Sequence, residues 1–287
     1  MENTAIFFAL LSLIFGGLNE IVFKRYSARE RSRGMMISGV GLVWCVLLIL
    51  DVYVRGDLIL FNQPTWFYGL VAGICVAIAN ILLLESLRHM EVSLGSTIYR
   101  LNTIVVVILS VIFLNETLSG FKLAGVGCGV VAVLLLYHHH QHATGKNAAL
   151  KTGLILVIVG ALLRAIYGVV TKAGLSAEAD ANGLILISSV CWIVSGLLYA
   201  VLIEHRYSIT RSKVSYALVS GLIVYGIVKT LVIALTMGEA SVVVTIANMS
   251  FLVALFVALV TKMEVLSVKK ASAMVFAVSA ILLLTQT

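Results

Sequence analysis

Charge is scarce in this chain. Only 11% of its 287 residues are Asp, Glu, Lys or Arg, less than half the usual share of a soluble domain, about 25%. Such a chain lacks the polar surface that a water-soluble fold of this size needs. Proline is nearly absent, with one residue in the whole sequence, which fits uninterrupted helices. The four cysteines, Cys45, Cys75, Cys128 and Cys191, lie singly in apolar runs without CxxC spacing. That argues against a disulfide framework or a zinc site and leaves them as small packing residues. No Walker motif, HExxH, GxSxG or aspartate pair occurs within the apolar runs, so neither ATP-driven transport nor membrane-embedded hydrolysis is supported, and an enzyme is not expected. The start, Met1-Glu2-Asn3-Thr4, has no basic region or small-residue cleavage site, so the first apolar run is expected to be retained.

Apolar residues are abundant instead, 61% of the total, with a mean hydropathy of +1.10. Runs of about 20 residues, long enough for roughly 30 Å of hydrocarbon, recur throughout. Periodicity and polar breaks give ten expected spans: Thr4 to Phe23, Gly34 to Leu50, Trp66 to Leu84, Val92 to Leu114, Gly120 to Tyr137, Thr152 to Thr171, Gly183 to Ile203, Val214 to Thr236, Ala240 to Val260 and Ser267 to Leu284. The expected fold class is therefore an all-α integral membrane protein. The separators between spans three and four, and between eight and nine, are short enough to demand tight antiparallel hairpins.

The sequence also repeats itself. At an offset of 148 positions, Glu91, Ser93, Thr97, Ile98, Val105, Glu116, Leu118, Ser119 and Lys122 fall on Glu239, Ser241, Thr245, Ile246, Val253, Glu264, Leu266, Ser267 and Lys270 without a gap. Lys24, Trp44, Tyr68 and Gly73 likewise fall on Lys172, Trp192, Tyr216 and Gly221. Matches between polar residues are informative in so apolar a chain, and they indicate internal duplication. The units are residues 1–137 and 152–287, joined by a connecting loop at 138–151. Five spans per unit is an odd number, so the second unit must enter the bilayer upside down. The expectation is ten transmembrane helices as two inverted five-helix repeats.

Loop charge sets the expected orientation. The net charge of +7 sits mostly between spans, where a positive-inside bias explains it better than nucleic-acid binding. One set of loops carries 14 of the 20 basic residues, from Lys24, Arg25, Arg29, Arg31 and Arg33 through Arg88, Lys146, Lys151, Arg206, Arg211 and Lys213 to Lys262, Lys269 and Lys270. The opposite set carries only Arg55, Lys122 and Lys172. This places the first set in the cytoplasm and both termini outside it.

The segment FGGLNEIVFK ending at Lys24, the two Glu-x-Leu-Ser-x-x-Lys turns at Glu116 and Glu264, and the duplicated ten-span plan resemble the EamA-type family of the drug/metabolite transporter superfamily. The resemblance covers the full chain, though its motifs are short. It implies a carrier with a central cavity between two inverted halves, moving small metabolites or drugs across the cell membrane. It also suggests cytoplasmic termini, against the loop charges, which are given precedence here. Prolines that the family often carries thirteen residues before each turn Glu are replaced by Thr103 and Phe251, which removes the usual cause of a hinge there.

Charges within spans cost at least about 2.5 kcal/mol each and tend to face a cavity or a partner. The candidates are Glu20, Arg100, Arg164, near the middle of span six, and Lys229. Asn80, Tyr225 and Asn248 add polar points. Ser93, Ser96, Thr97, Arg100 and Thr103 form one helical stripe, and Ser241, Thr245 and Asn248 repeat it, as expected of opposing cavity walls. Depth suggests that Glu20 and Arg100 pair as a gate or proton relay, whereas the plainer alternative pairs Glu20 with Lys24 one turn on. Three cations against one acid favour an anionic or zwitterionic substrate such as an amino acid or organic acid. Glu116 and Glu264 are expected to cap the helices that follow them. Gly125 and Gly129, matched by Ala273 and Ala277, permit close helix contact between halves or between the protomers of a homodimer. The GVGCG run is not a phosphate loop. His138, His139, His140 and His142 are expected to form a solvated linker rather than a metal site.

The expected function is a secondary carrier working by alternating access in the cytoplasmic membrane, without a cofactor but with room for coupling to protons. Its expected partners are a small-molecule substrate and membrane lipid, and no nucleic acid. The alternatives are a flippase of a lipid-linked group and a non-transporting partner subunit.

Overall fold

A computed structural model of the chain describes residues 2–27, 31–87, 89, 95, 98–137, 147–205, 208–260 and 267–286, and the His138–His142 cluster lies outside them. Among the described residues every regular element is helical. These are α1 (Glu2–Ser27), α2 (Arg33–Arg55), α3 (Gln63–Ser86), α4 (Asn102–Leu114), α5 (Gly120–Tyr137), α6 (Asn147–Ser176), α7 (Ala181–Tyr199, continued by a π-helical turn Ala200–Glu204), α8 (Arg211–Met237), α9 (Ala240–Asn248), α10 (Phe251–Val260) and α11 (Val268–Leu284). Seven of the described segments are long and apolar enough to cross a membrane, and Ile98–Leu114 and Gly120–Leu135 are shorter apolar helices. The chain is a multi-pass helical membrane protein.

Polar residues at the breaks fix the helix starts. Ser32, Asn62, Asp180 and Thr210 each accept a hydrogen bond from the backbone N–H three residues on, at 3.2, 2.9, 2.6 and 3.3 Å. The single proline, Pro64, stands in the first turn of α3, where it needs no N–H partner. In the Glu-x-Leu-Ser-x-x-Lys turns the cap is the serine: Ser119 accepts from Lys122 N and Ser267 from Lys270 N. The expected capping by Glu116 is thereby corrected, because the serine already occupies that role. Glu264 lies outside the described residues.

Span two is longer than expected. Its helix continues past Leu50 to Arg55 and stops at Gly56, whose φ of 69° closes the last turn. Asp51 is thereby carried inside the span. Spans four and nine are broken despite lacking proline. In the first, Leu101 follows a helical segment at 98–100 with a tight i→i+3 bond to the Ile98 carbonyl. In the second, Met249 bonds to the Ile246 carbonyl in the same way, and α10 restarts after Ser250. Leu101 and Met249 are 148 residues apart. The scarcity of proline thus did not preserve continuous helices here, since a 3₁₀-type turn interrupts each one.

Small residues line the interior. Ala9, Ala72, Ala77, Ala132, Ala165, Ala234, Ala273, Ala277 and Ala280 are fully or nearly buried, while Leu42, Phe67, Ile112, Leu222 and Val275 cover the outside. That is the pattern of helices pressed together in lipid, where van der Waals packing replaces the hydrophobic drive. The halves interleave: α1 lies on α8, α3 on α6 and α7, α2 on α7 and α8, and α5 on α11. Individual contacts recur at the 148-residue offset. A Cβ placed on Gly73 would meet Cys191 Sγ at 2.8 Å and Ser188 Cα at 2.9 Å, and one on Gly221 would meet Val43 Cβ at 2.5 Å and the Val40 carbonyl at 3.3 Å. Gly39 meets Ala217 as Gly69 meets Ile187. Trp44 and Trp192, counterparts at that offset, touch each other edge to face with centroids 5.7 Å apart. Gly125 and Gly129 abut Leu284, Ala280 and Met249, so that face packs between the two halves of one chain.

Candidate functional site

Glu20 and Arg100 meet in the interior. One Glu20 carboxylate oxygen, Oε2, forms an ion pair with the Arg100 guanidinium, and the other, Oε1, accepts a hydrogen bond from Ser250 Oγ at 2.6 Å. The Arg100 guanidinium also stands over the Phe251 ring, 5.0 Å from its centroid. Close packing delivers these groups to one another. Gly16 and Gly17 leave room for the α9–α10 break, and a Cβ on Gly17 would fall 2.5 Å from the Ser250 carbonyl oxygen. Asn248 closes the same junction from the other side. Its Nδ2 donates to Asn102 Oδ1 at 2.6 Å and Thr103 Oγ1 at 2.9 Å, so the two helix breaks are bonded to each other.

The polar stripe of span nine takes a different role from the one expected of a cavity wall. Ser241 and Thr245 are buried, at 2% and 0% exposure. The Ser241 hydroxyl donates to Glu116, and the Thr245 hydroxyl to the Ser241 carbonyl. Their hydrogen-bonding capacity goes to structure because α9 starts against the loop after α4. Ser93, Ser96 and Thr97 lie outside the described residues.

Lys229 also has a partner. Its Nζ lies 3.0 Å from Asp51 Oδ2 and donates to Asn182 Oδ1 at 2.7 Å. Tyr225, one turn earlier on α8, faces the same Asp51, and Arg55 Nε donates to Asp51 Oδ1 at 2.7 Å. Asp51 was missed in the sequence because it follows the last apolar residue of span two. Its signal was Arg55 at i+4, which continues the helix by another turn. The expected set of three cations facing one acid is corrected: Glu20 and Asp51 pair with Arg100 and Lys229. Asn80 donates its Nδ2 to the Val76 carbonyl of its own helix at 2.7 Å.

Arg164 is different. It stands one residue from position 163, the midpoint of the Leu150–Ser176 span. Its guanidinium lies 5.2 Å from the centre of the Tyr167 ring, and among the described residues no carboxylate pairs with it. Gly160 and Gly168, one turn either way on the same face, sit against Tyr99 and Val244, so the face points into the bundle. The Tyr99 hydroxyl is buried and has no hydrogen-bond partner among the described residues. Tyr99, from the short helical segment before Leu101, thus packs its ring against the same face of α6 that carries Arg164. Tyr99 carried no sequence signal, since it falls between the stripe positions.

Two polar clusters close the ends. At one, Glu116 accepts from the N–H groups of Ala240 and Ser241 at 2.6 and 3.0 Å, and Lys122 pairs with Glu239 while donating to the Thr117 carbonyl. A carboxylate from the first half therefore caps α9 of the second. At the other end Glu204 accepts from Ser32 Oγ at 2.6 Å and from the N–H groups of Arg33 and Gly34, capping α2. Tyr199 donates to Glu85 at 2.5 Å beside Arg33. Among the described residues no cluster of His, Cys, Asp and Glu has the makings of a metal site.

An all-helical bundle with paired charges held inside it defines a polytopic membrane protein with a polar interior. Residues 3–138, just under half of the chain, match the EamA-like transporter family. An uncharacterised protein of Methanocaldococcus jannaschii is 24% identical over 135 residues, which cover 47% of this chain and 96% of that protein. A crystal structure superposes with a TM-score of 0.83 at 14% identity, over 98% of this chain and 96% of the other, a likeness of fold alone.

Proposed function

We propose that the protein is a secondary carrier of small anionic or zwitterionic metabolites, such as amino acids or organic acids, working by alternating access across the cytoplasmic membrane. The observation that carries this reading is Arg164, a mid-span guanidinium without a carboxylate partner among the described residues and with the Tyr99 hydroxyl on the same face. Holding a cation at that depth without a counter-charge is costly, and a transported anion would supply the missing charge. Arg164 and Tyr99 are proposed as the anion-binding pair.

The proposed scaffold is ten spans in two inverted repeats, residues 1–137 and 152–287. The contacts recurring at the 148-residue offset and the Trp44–Trp192 pair support it. So does a relative that is matched over nearly its whole length by about half of this chain. Broken helices bonded to each other at the interface of the two repeats suit a rocking motion around a central site. The positive-inside bias supports termini outside the cytoplasm.

Proteoliposomes loaded with the full chain should take up at least one of labelled glutamate, aspartate, malate, citrate or inorganic phosphate in a saturable manner. No saturable uptake across that panel, together with scrambling of a labelled lipid, would replace the carrier reading with a flippase. Neither activity would leave a non-transporting subunit.

A further inference from the structure

We propose that Glu20 is the proton-coupling carboxylate of this carrier, and that it and the anionic substrate compete for Arg100. The inference rests on the carrier reading and adds to it the coupling ion and the residues that exchange it. Glu20 holds both helix breaks at once. Oε2 is on Arg100, the last helical residue before the Leu101 turn, and Oε1 is on Ser250, within the turn of span nine. Asn248 joins the same two breaks independently through Asn102 and Thr103, so they stay connected when Glu20 lets go.

The two partners differ in access. The Glu20 side chain keeps 36% of its surface uncovered, against 11% for Arg100. Glu20 is the more open of the two, whereas Arg100 stacks on the Phe251 ring. No other titratable group competes for Glu20 among the described side chains packed around it. The α9–α10 segment has none between residues 240 and 260. On α8, Tyr216 faces Tyr26 and Arg31, and Tyr225 and Lys229 face Asp51. The remaining α8 cations, Arg211 and Lys213, stand at its start.

The exchange conserves charge. A proton from water binds the Glu20 carboxylate, which becomes a neutral acid and keeps its hydrogen bond to Ser250. Arg100, released, takes a carboxylate or phosphate oxygen of the substrate. Because Glu20 and an anionic group of the substrate would use the same guanidinium, Arg100 holds one or the other. One proton thus enters with one negative charge, so a monoanion moves without net charge. On the far side the anion leaves, Glu20 returns its proton to water, and the pair re-forms.

The test uses the full chain in liposomes containing a trapped pH-sensitive dye, with whichever anion of the panel the wild type takes up. Uptake should rise with acidification, by up to about tenfold per pH unit where one proton enters with each anion, and the dye should report protons entering with the anion. In Glu20→Gln, Arg100 is permanently free. The anion should bind more tightly, uptake should lose its response to pH, and the dye signal should vanish. Glu20→Asp, which keeps the acid, should keep proton entry even if Glu20→Gln folds poorly. Proton entry that persists in Glu20→Gln alongside anion uptake would overturn this inference and leave the carrier reading intact. If the wild type takes up no anion, the carrier reading fails, and infrared titration of the purified chain then tests only whether Glu20 is the carboxylate that takes up a proton. A protonated-carboxyl band present in the wild type and missing in Glu20→Gln supports the assignment, and an unchanged band overturns it.

Discussion

Glu116→Ala provides the sharpest test of how the two halves are held. Glu116 accepts three hydrogen bonds, from Ala240 N, Ser241 N and Ser241 Oγ, at the start of a helix whose first residues are buried at 0% and 2% exposure. A lost cap costs about 0.5–2 kcal/mol, and a hydrogen bond to a charged group contributes about 1.5–3 kcal/mol. Glu116 is itself partly exposed, so the combined loss should be about 2–3 kcal/mol. At roughly 2 °C per kcal/mol for a chain of this size, the unfolding midpoint in detergent should drop by about 5 °C. Because unfolding of such proteins is often irreversible, variants must be compared at one scan rate. Glu116→Gln, which keeps an acceptor, should lose less than half as much. The discriminating measurement is the cycle with Ser241→Ala. Residues that share a bond should couple by at least about 0.5 kcal/mol. Additive losses, or no loss in Glu116→Ala, would refute capping across the halves.

Three further outcomes follow from the geometry. Asp51→Asn leaves Lys229 without its counter-charge inside the bundle and should destabilise by about 3 kcal/mol; adding Lys229→Met should recover most of this in the same thermal assay. Gly17→Ala drives a methyl group into the Ser250 carbonyl and should cost about 1–3 kcal/mol and slow uptake, whereas Gly127→Ala, with open space around it, should leave the midpoint unchanged. Trp44→Phe and Trp192→Phe, at two rings that touch edge to face, should couple by about 0.5–1.5 kcal/mol in a double-mutant cycle; additive losses would refute that contact.

Membrane class and helix placement were legible because lipid imposes a strong pattern: long apolar runs with charges confined to their ends. The 148-residue offset was legible from matched Glu, Ser and Lys residues, and the same offset reappears in contacts such as Gly73 with Cys191 and Gly221 with Val43. The site was less legible. Helical periodicity assigns residues to a face but not to a partner, so Ser241 and Thr245 looked like cavity wall while the fold uses them as structure. Asp51 was hidden by an apolar boundary that ended one residue too early. The breaks at Leu101 and Met249 were hidden because a 3₁₀ turn needs no proline or glycine. Glu116 shows the same limit: a carboxylate near its own helix start reads as a local cap until the fold brings in a helix from the other half.

The carrier account stands most directly on Arg164. Uptake by proteoliposomes should be compared between the wild type, Arg164→Lys and Arg164→Gln, using the transported anion and a neutral amide analogue of it. The account predicts that Arg164→Gln loses anion uptake by about 10-fold or more, the effect of about 1.4 kcal/mol, while preference shifts towards the neutral analogue and Arg164→Lys retains part of the anion selectivity. Unchanged anion selectivity in Arg164→Gln, with the protein folded and inserted, would contradict it.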